Sequence, residues 1–275
     1  MQGQGSLRGQ KDGSGGIDAA ADLVLLAHRG YAARYPENTR EALGAAVAAG
    51  VRHIEFDVQL SADREPFLLH DENFKRTAGI DRRIFLTPAA DVARISAAEP
   101  LRFGEQFREI YVPRLADVVE DLRAWASVQA FVEIKRESIE YFGLAAVLDA
   151  VLPVLRPVMD RCVIISFERE AVAAARRRTG CRIGWALRAW TDESRAVADA
   201  LAPDFLFCNV TRLPAAPEPL WPGPWAWAVY EITDARVALE LAARGVRMIE
   251  TMACVELAAG LARVHLKSSD QSLDT

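Results

Sequence analysis

From Leu23 to Glu250 the chain alternates short apolar runs with longer Ala- and Leu-rich runs, and no Pro/Gly/Ser linker interrupts the series. The short runs have the length and composition of strands: Leu23–Ala27, Val51–Val58, Pro66–His70, Val128–Ile134, Cys162–Ser166, Arg182–Leu187, Phe205–Asn209, Trp225–Val229 and Val246–Glu250. The longer runs predict helices over Arg114–Ala126, Tyr141–Leu155, Arg169–Thr179, Asp192–Leu201 and Asp234–Arg244. A further helix follows Asn38, which is placed to cap it, with Glu41 three residues on as in a capping box and Gly50 as its stop. Repeated strand–helix units over about 250 residues predict an α/β fold with parallel strands, and a TIM-type (β/α)8 barrel fits this length. Nine strand candidates compete for eight places, so one is an extra or a paired extension. Ser61–Glu65 is too short for a helix, so the chain returns there in extended form. A doubly wound sheet fits less well, because no G-x-G-x-x-G follows the first strand and no G-x-x-x-x-G-K occurs.

The formal net charge of -5 gives no global attraction to nucleic acid or to an anionic membrane. No apolar run reaches the length of a membrane span, and the first residues lack the apolar stretch of a signal peptide, so a cytoplasmic location is expected. Cys162, Cys181, Cys208 and Cys254 are widely spaced, without C-x-x-C pairs, and read as buried core thiols. Residues 1–20 read as a disordered leader, 21–266 as one barrel domain, and 267–275 as a loose tail.

The strand runs end in charge. If Ile54, Phe56 and Val58 face the helices, then Glu55 and Asp57 point into the barrel near the C-terminal end of their strand, where barrel sites are built. Two carboxylates at i and i+2 project the same way, roughly 7 Å apart, a spacing that suits a shared hard cation. Taken alone, this strand fits equally a half-exposed one with acids facing water. A second strand, "FVEIK", adds Glu133 and Lys135 on one face; "PFLLHDE" ends in His70-Asp71, and "LLAHRG" in His28-Arg29. Three carboxylates, Glu55, Asp57 and Glu133, make an oxygen site for Mg²⁺ or Ca²⁺. His28 and His70 can work as acid and base, and Arg29 and Lys135 offer charge to an anion. Such a set suits a phosphate ester, a small-molecule substrate.

The motifs "AHRG-x5-PENT", "IEFDVQLSAD", "PFLLHDE", "FVEIK" and "VIISFE", in this order and spacing, resemble those of the glycerophosphodiester phosphodiesterase family over about residues 23–250. The resemblance implies a barrel of the phosphatidylinositol-phospholipase-C type and a divalent metal. It implies hydrolysis of a glycerophosphodiester to an alcohol and glycerol 3-phosphate, in some members through a cyclic phosphate formed by the glycerol's own hydroxyl. Carried over by residue, Glu55, Asp57 and Glu133 match metal ligands, His28 and His70 the acid/base pair, and Arg29 and Lys135 the phosphate-binding groups. Glu37 of "PENT" matches a site-proximal acid or anchors the loop before the first helix. Two departures stand out: Met252 follows Thr251 where family members carry Asp, and Tyr230-Glu231 follow Val229 where family members carry Asn. Both put the usual small-headgroup specificity in question.

Related barrels make a lysophospholipase D or sphingomyelinase D-like activity the second reading, and a catalytically inactive barrel used as a binding module is the third. His53 reads as a hydrogen-bonded core residue, His265 as solvated, the Trp cluster as core and rim packing, and Arg176-Arg177-Arg178 as a solvated helix end. Residues 71–113, after the third strand, read as a small insertion whose aromatics Phe74, Phe85, Phe103, Phe107 and Tyr111 either cap the site or form a satellite core.

Overall fold

The computed structural model describes residues 23–271, with side chains to Val264. The expected leader and residues 272–275 of the expected tail lie outside the described residues, as does the His265 side chain. Residues 267–271 continue a helix, Cys254–Gln271, into the stretch read as a loose tail.

Strands β1 (Val24–Ala27), β2 (His53–Leu60) and β3 (Pro66–Leu68) open the chain. β4 (Asn73–Phe74) and β5 (Ile80–Arg83) form a small separate ribbon, and β6 (Gln129–Ile134), β7 (Cys162–Ser166) and β8 (Arg182–Ala186) follow. β9 (Phe205–Asn209), β10 (Ala226–Tyr230) and β11 (Val246–Thr251) complete the set. The order β1-β11-β10-β9-β8-β7-β6-β2 is parallel throughout and closes through a β1–β2 pairing, Leu26 to His53 and Ala27 to Ile54. This is the expected eight-stranded (β/α)8 barrel. The ninth candidate is the paired extension: β3 runs antiparallel to β2, with Val58 opposite Leu68 and Leu60 opposite Pro66.

Alternation along the strands decides which side chains meet. Leu26, Phe131, Val163, Ile165, Ala186, Phe207, Ala228 and Met248 fill the barrel interior. Gly184 shares that interior because a Cβ there would lie 2.7 Å from both Ile165 Cγ2 and Phe207 Cε2. Ile54, Phe56, Val58, Val132 and Ile134 face outward and pack with helix residues such as Leu43, Leu115 and Leu148. The predicted helices stand at Leu115–Ala124, Arg169–Thr179, Asp192–Leu201 and Ala235–Ala243, while the run predicted from Tyr141 is two helices, Arg136–Phe142 and Leu144–Leu155. The four cysteines are buried free thiols. Trp190 stacks on Trp221 at 3.9 Å between ring centroids, within the layer between strands and helices. Arg177 and Arg178 are exposed, but Arg176 is half-buried and pairs with Asp204 at 2.7 Å instead of standing free. His53 is half-buried beside the Phe131 ring, and among the described residues no hydrogen bond to its ring corresponds to the one expected.

The segment between β3 and the helix at Leu115 carries its own apolar cluster, in which Phe74, Ile84, Phe85, Val92 and Val112 pack on Phe67 and Leu69. Phe74 and Phe85 thus belong to a satellite core, whereas Phe103 and Phe107 are half-buried and Tyr111 is exposed.

Candidate active site

One inward position above the apolar layer, the same alternation turns polar. His28 stands two residues beyond Leu26, Glu133 two beyond Phe131, Tyr230 two beyond Ala228 and Glu250 two beyond Met248. On β2, Glu55 and Asp57 rise above His53. All belong to the C-terminal mouth of the barrel.

The turn after β1 is shaped by its sequence. Arg29 and Gly30 both have positive φ, 55° and 79°. A Cβ on Gly30 would lie 2.5 Å from the Ala42 carbonyl carbon, so only glycine lets the first helix, Arg40–Ala48, sit against this turn. The Arg29 amide then donates to Glu55 Oε2 at 2.9 Å. Thr39, not Asn38, caps the helix: its hydroxyl accepts from the Ala42 amide at 3.1 Å. Asn38 turns inward and joins Asp57 instead, Nδ2 donating to Oδ2 at 2.8 Å and the Asp57 amide donating to Asn38 Oδ1 at 3.0 Å. The neighbour of the predicted cap does the capping, and the Asn becomes part of the site.

The acids and bases are interleaved. Lys135 Nζ lies 3.2 Å from Asp57 Oδ1 and 2.8 Å from Glu133 Oε1. Arg29 lies 3.2 Å from Asp57 Oδ2 and 2.9 Å from Glu37 Oε1. Burial works against the Asp57 charge, but Lys135 and Arg29 overcome it and hold its carboxyl far below the usual range. Glu55 has no such partner; burial first, then the Asp57 charge, push its pKa well above normal. Glu37 also accepts two bonds from Arg76, and its amide donates to Glu99 at 2.7 Å. It is thus both close to the site and an anchor of its loop.

Each histidine has a carboxylate on one ring nitrogen. His70 reaches the mouth because β3 runs back along β2, the Leu69 amide donating to the Asp57 carbonyl at 3.1 Å. Its Nδ1 meets Asp71 Oδ1 at 2.7 Å, and Asp71 in turn accepts from Arg76. His28 Nδ1 contacts Glu231 Oε1, while Nε2 lies 3.8 Å from Glu55 Oε2. Burial alone would lower the His28 pKa; Glu250, the Glu231 contact and Glu55 outweigh it and raise it to about 10.

Donor atoms of Glu55, Asp57 and Glu133 lie within 4.8 Å of one another, as do those of His28, Glu55 and Glu250. Glu55 Oε1 is buried without a hydrogen-bond partner. Charged oxygens held this close, one lacking any donor, fit a hard divalent cation. All seven predicted ligands, histidines and cationic groups therefore meet at one mouth. Glu231 and Glu250 were not singled out as site residues. Inward alternation with Met248 was the signal for Glu250; Glu231 lies beyond the strand end, where alternation no longer places a side chain.

The sequence model of the Glycerophosphoryl diester phosphodiesterase family matches residues 28–206. The chain is 32% identical to the protein YqiK of Bacillus subtilis over 157 residues, 56% of this chain and 61% of that one. It is 28% identical to a glycerophosphodiester phosphodiesterase of Bacillus altitudinis over 149 residues, 54% of this chain and 60% of that one. The match thus spans about three fifths of these relatives' length. Among solved structures it resembles a phosphodiesterase of Oleispira antarctica in complex with the product sn-glycerol-3-phosphate, at TM-score 0.74 and 22% identity, covering 89% of this chain and 99% of the other. It also resembles a glycerophosphodiester phosphodiesterase of Agrobacterium tumefaciens, at TM-score 0.67 and 22% identity, covering 86% and 99%. The chain belongs to the glycerophosphoryl diester phosphodiesterase family.

Proposed function

We propose that this protein hydrolyses glycerophosphodiesters to an alcohol and glycerol 3-phosphate, with His28 and His70 as proton carriers. The observation that carries the reading is the meeting of Glu55, Asp57 and Glu133 with Arg29, Lys135 and two histidines at one barrel mouth. Family membership and the product bound to the Oleispira neighbour agree with it.

Glu55, Asp57 and Glu133 would hold Mg²⁺ or Ca²⁺, since all three offer hard oxygen donors. A bound cation supplies charge for a phosphate oxygen and makes a nearby hydroxyl easier to deprotonate. The remaining work falls to the chain. Arg29 and Lys135 are both almost buried and fixed by carboxylates, so their charge faces a phosphate without reorganisation. Glu231 and Asp71 each occupy a histidine Nδ1, which leaves Nε2 of both rings without a hydrogen bond, that of His28 lying 3.8 Å from Glu55 Oε2. One ring takes the attacker's proton and the other protonates the leaving alkoxide.

In this reading the insertion over residues 71–113 caps the mouth. Three contacts support it: Arg76 bonds Glu37, Glu99 accepts from the Glu37 amide, and the Phe107 ring lies 5.7 Å from that of Tyr35. One observation favours a lipid substrate as the second reading. Ile80, Leu86, Leu101 and Tyr111, all on this insertion, are exposed, and exposed apolar side chains are what an acyl chain would pack on.

The test is product analysis. Glycerophosphocholine and lysophosphatidylcholine are incubated with the protein and Mg²⁺ or Ca²⁺. Glycerol 3-phosphate and free choline from the first support the leading reading. Choline from the lysolipid alone supports the second, and no turnover of either sinks both.

A further inference from the structure

Charge at the mouth is not balanced. Asp57, Glu133, Glu37 and Asp71 each pair with a lysine or arginine. Among the described residues Glu55, Glu231 and Glu250 do not; the cation facing them is His28. If Glu55 joins Asp57 and Glu133 around a divalent ion, two carboxylates, Glu231 and Glu250, remain against one imidazolium.

The placing of these groups is specific. Glu250 is 4% exposed, one of its carboxylate oxygens lies within 4.8 Å of ligand atoms of His28 and Glu55, and among the described residues no lysine or arginine pairs with it. A buried carboxylate in that state calls for a positive partner. Glu231 is partly exposed and is held by the Met252 amide, which donates to Oε2 at 3.4 Å. The Tyr230 ring centroid lies 6.4 Å from that of His28, and its hydroxyl feels the charges of Glu250 and Glu133. An aromatic face beside carboxylates is a surface for ammonium and quaternary ammonium groups. Tyr230 and Glu250 stand at the ends of β10 and β11, and Glu231 just beyond β10, on the far side of β1 from β2 and β6, toward whose ends Asp57 and Lys135 lie.

We propose that Tyr230, Glu231 and Glu250 form a subsite for a positively charged alcohol on the phosphodiester, an ammonium or quaternary ammonium headgroup. This rests on the phosphodiesterase reading. The substrate's phosphate lies toward Arg29 and Lys135, and its cationic end lies against the acids across β1. Tyr230 and Glu231 stand where the sequence departs from the motif pattern after Val229, and Glu250 lies two residues before the other departure, Met252.

The experiment compares kcat/KM for glycerol phosphodiesters of choline and ethanolamine with those of glycerol and inositol, at one metal concentration. The wild-type protein is expected to favour the cationic pair by roughly tenfold or more, the scale of a hydrogen bond or contact to a charged group. In Glu231→Gln and Glu250→Gln that ratio should collapse toward one, whatever happens to the absolute rates. A loss of His28 orientation alone would lower all four rates together and leave the ratio intact, which would overturn the proposal. So would a wild type that shows no preference. Metal content is measured alongside: if either variant binds fewer ions per chain, the acids hold a second metal and the proposal is wrong. If Glu250→Gln fails to fold, the partly exposed Glu231 still supplies the answer. Turnover of none of the four diesters would refute the phosphodiesterase reading itself.

Discussion

Asn38 and Asp57 exchange two hydrogen bonds across the mouth of the barrel, side chain to side chain at 2.8 Å and backbone amide to side chain at 3.0 Å. The exchange fixes the Asp57 carboxylate from below while Arg29 and Lys135 hold it from the sides. A residue with the composition of a helix cap thus orients an expected metal ligand.

Replacing Asn38 by Ala should therefore cost about 2 kcal/mol of stability, the scale of a hydrogen bond to a charged group. It should also weaken divalent metal binding by roughly tenfold or more, as for groups that orient a ligand. Thermal unfolding and metal titration check the two effects. An unchanged metal affinity would mean that Asn38 only supports the loop.

Neutralising the two β2 acids should have opposite effects on the metal-free protein. Asp57→Asn leaves Arg29 and Lys135 buried with less countercharge, and should cost about 3–5 kcal/mol. Glu55→Gln removes an acid that has no lysine or arginine partner and whose charged form burial and Asp57 disfavour, and its amide oxygen can still accept from the Arg29 amide. It should leave the melting temperature unchanged or raise it. Equal destabilisation by both variants would contradict the charge pattern described for the mouth.

Much of this arrangement was legible in the sequence because strand alternation is strict. Glu55, Asp57, Glu133 and Lys135 follow in-out periodicity within apolar runs, so their meeting point is written in the sequence pattern. His70 was placed correctly at the mouth, though β3 is an antiparallel extension and not a barrel strand. Asn38 has the composition of a cap because Asn and Thr both cap helices, whereas in the structure its φ is positive, 55°, and its side chain bonds Asp57. Glu231 was beyond reach, since its position depends on how the loop after β10 folds back onto His28.

His28→Ala and His70→Ala should each lower kcat by about 10²–10⁴, the range for a general acid or base, with little change in metal affinity. The double variant should lose little more than either single one, as groups that act as a unit are not additive. Single-turnover kinetics with metal titration separates the roles. Loss of the cation in His28→Ala would make that histidine a ligand.

Acid should loosen the clamp at Arg76. The Asp71 carboxyl is held below its usual range first by the His70 hydrogen bond and then by Arg76; for Glu37, Arg76 and Arg29 overcome burial to the same effect. Groups lowered in this way stabilise the fold fully above their unfolded pKa of about 4, and that stability is lost as pH falls further. The melting temperature should therefore begin to drop below about pH 5 in the wild type and keep dropping as the pH falls through the lowered native values, and drop less in Arg76→Ala. Parallel curves for the two proteins would show that the clamp does not carry the acid dependence.

The most direct measurement removes the metal and returns it. The protein is stripped with a chelator, confirmed folded by circular dichroism, and assayed for glycerol 3-phosphate release from a glycerophosphodiester as Mg²⁺ or Ca²⁺ is added back. The expected result is no release from the stripped protein, restoration on addition, and no restoration in the equally folded Glu55→Gln variant. Full turnover without added metal, or full restoration in Glu55→Gln, would contradict it.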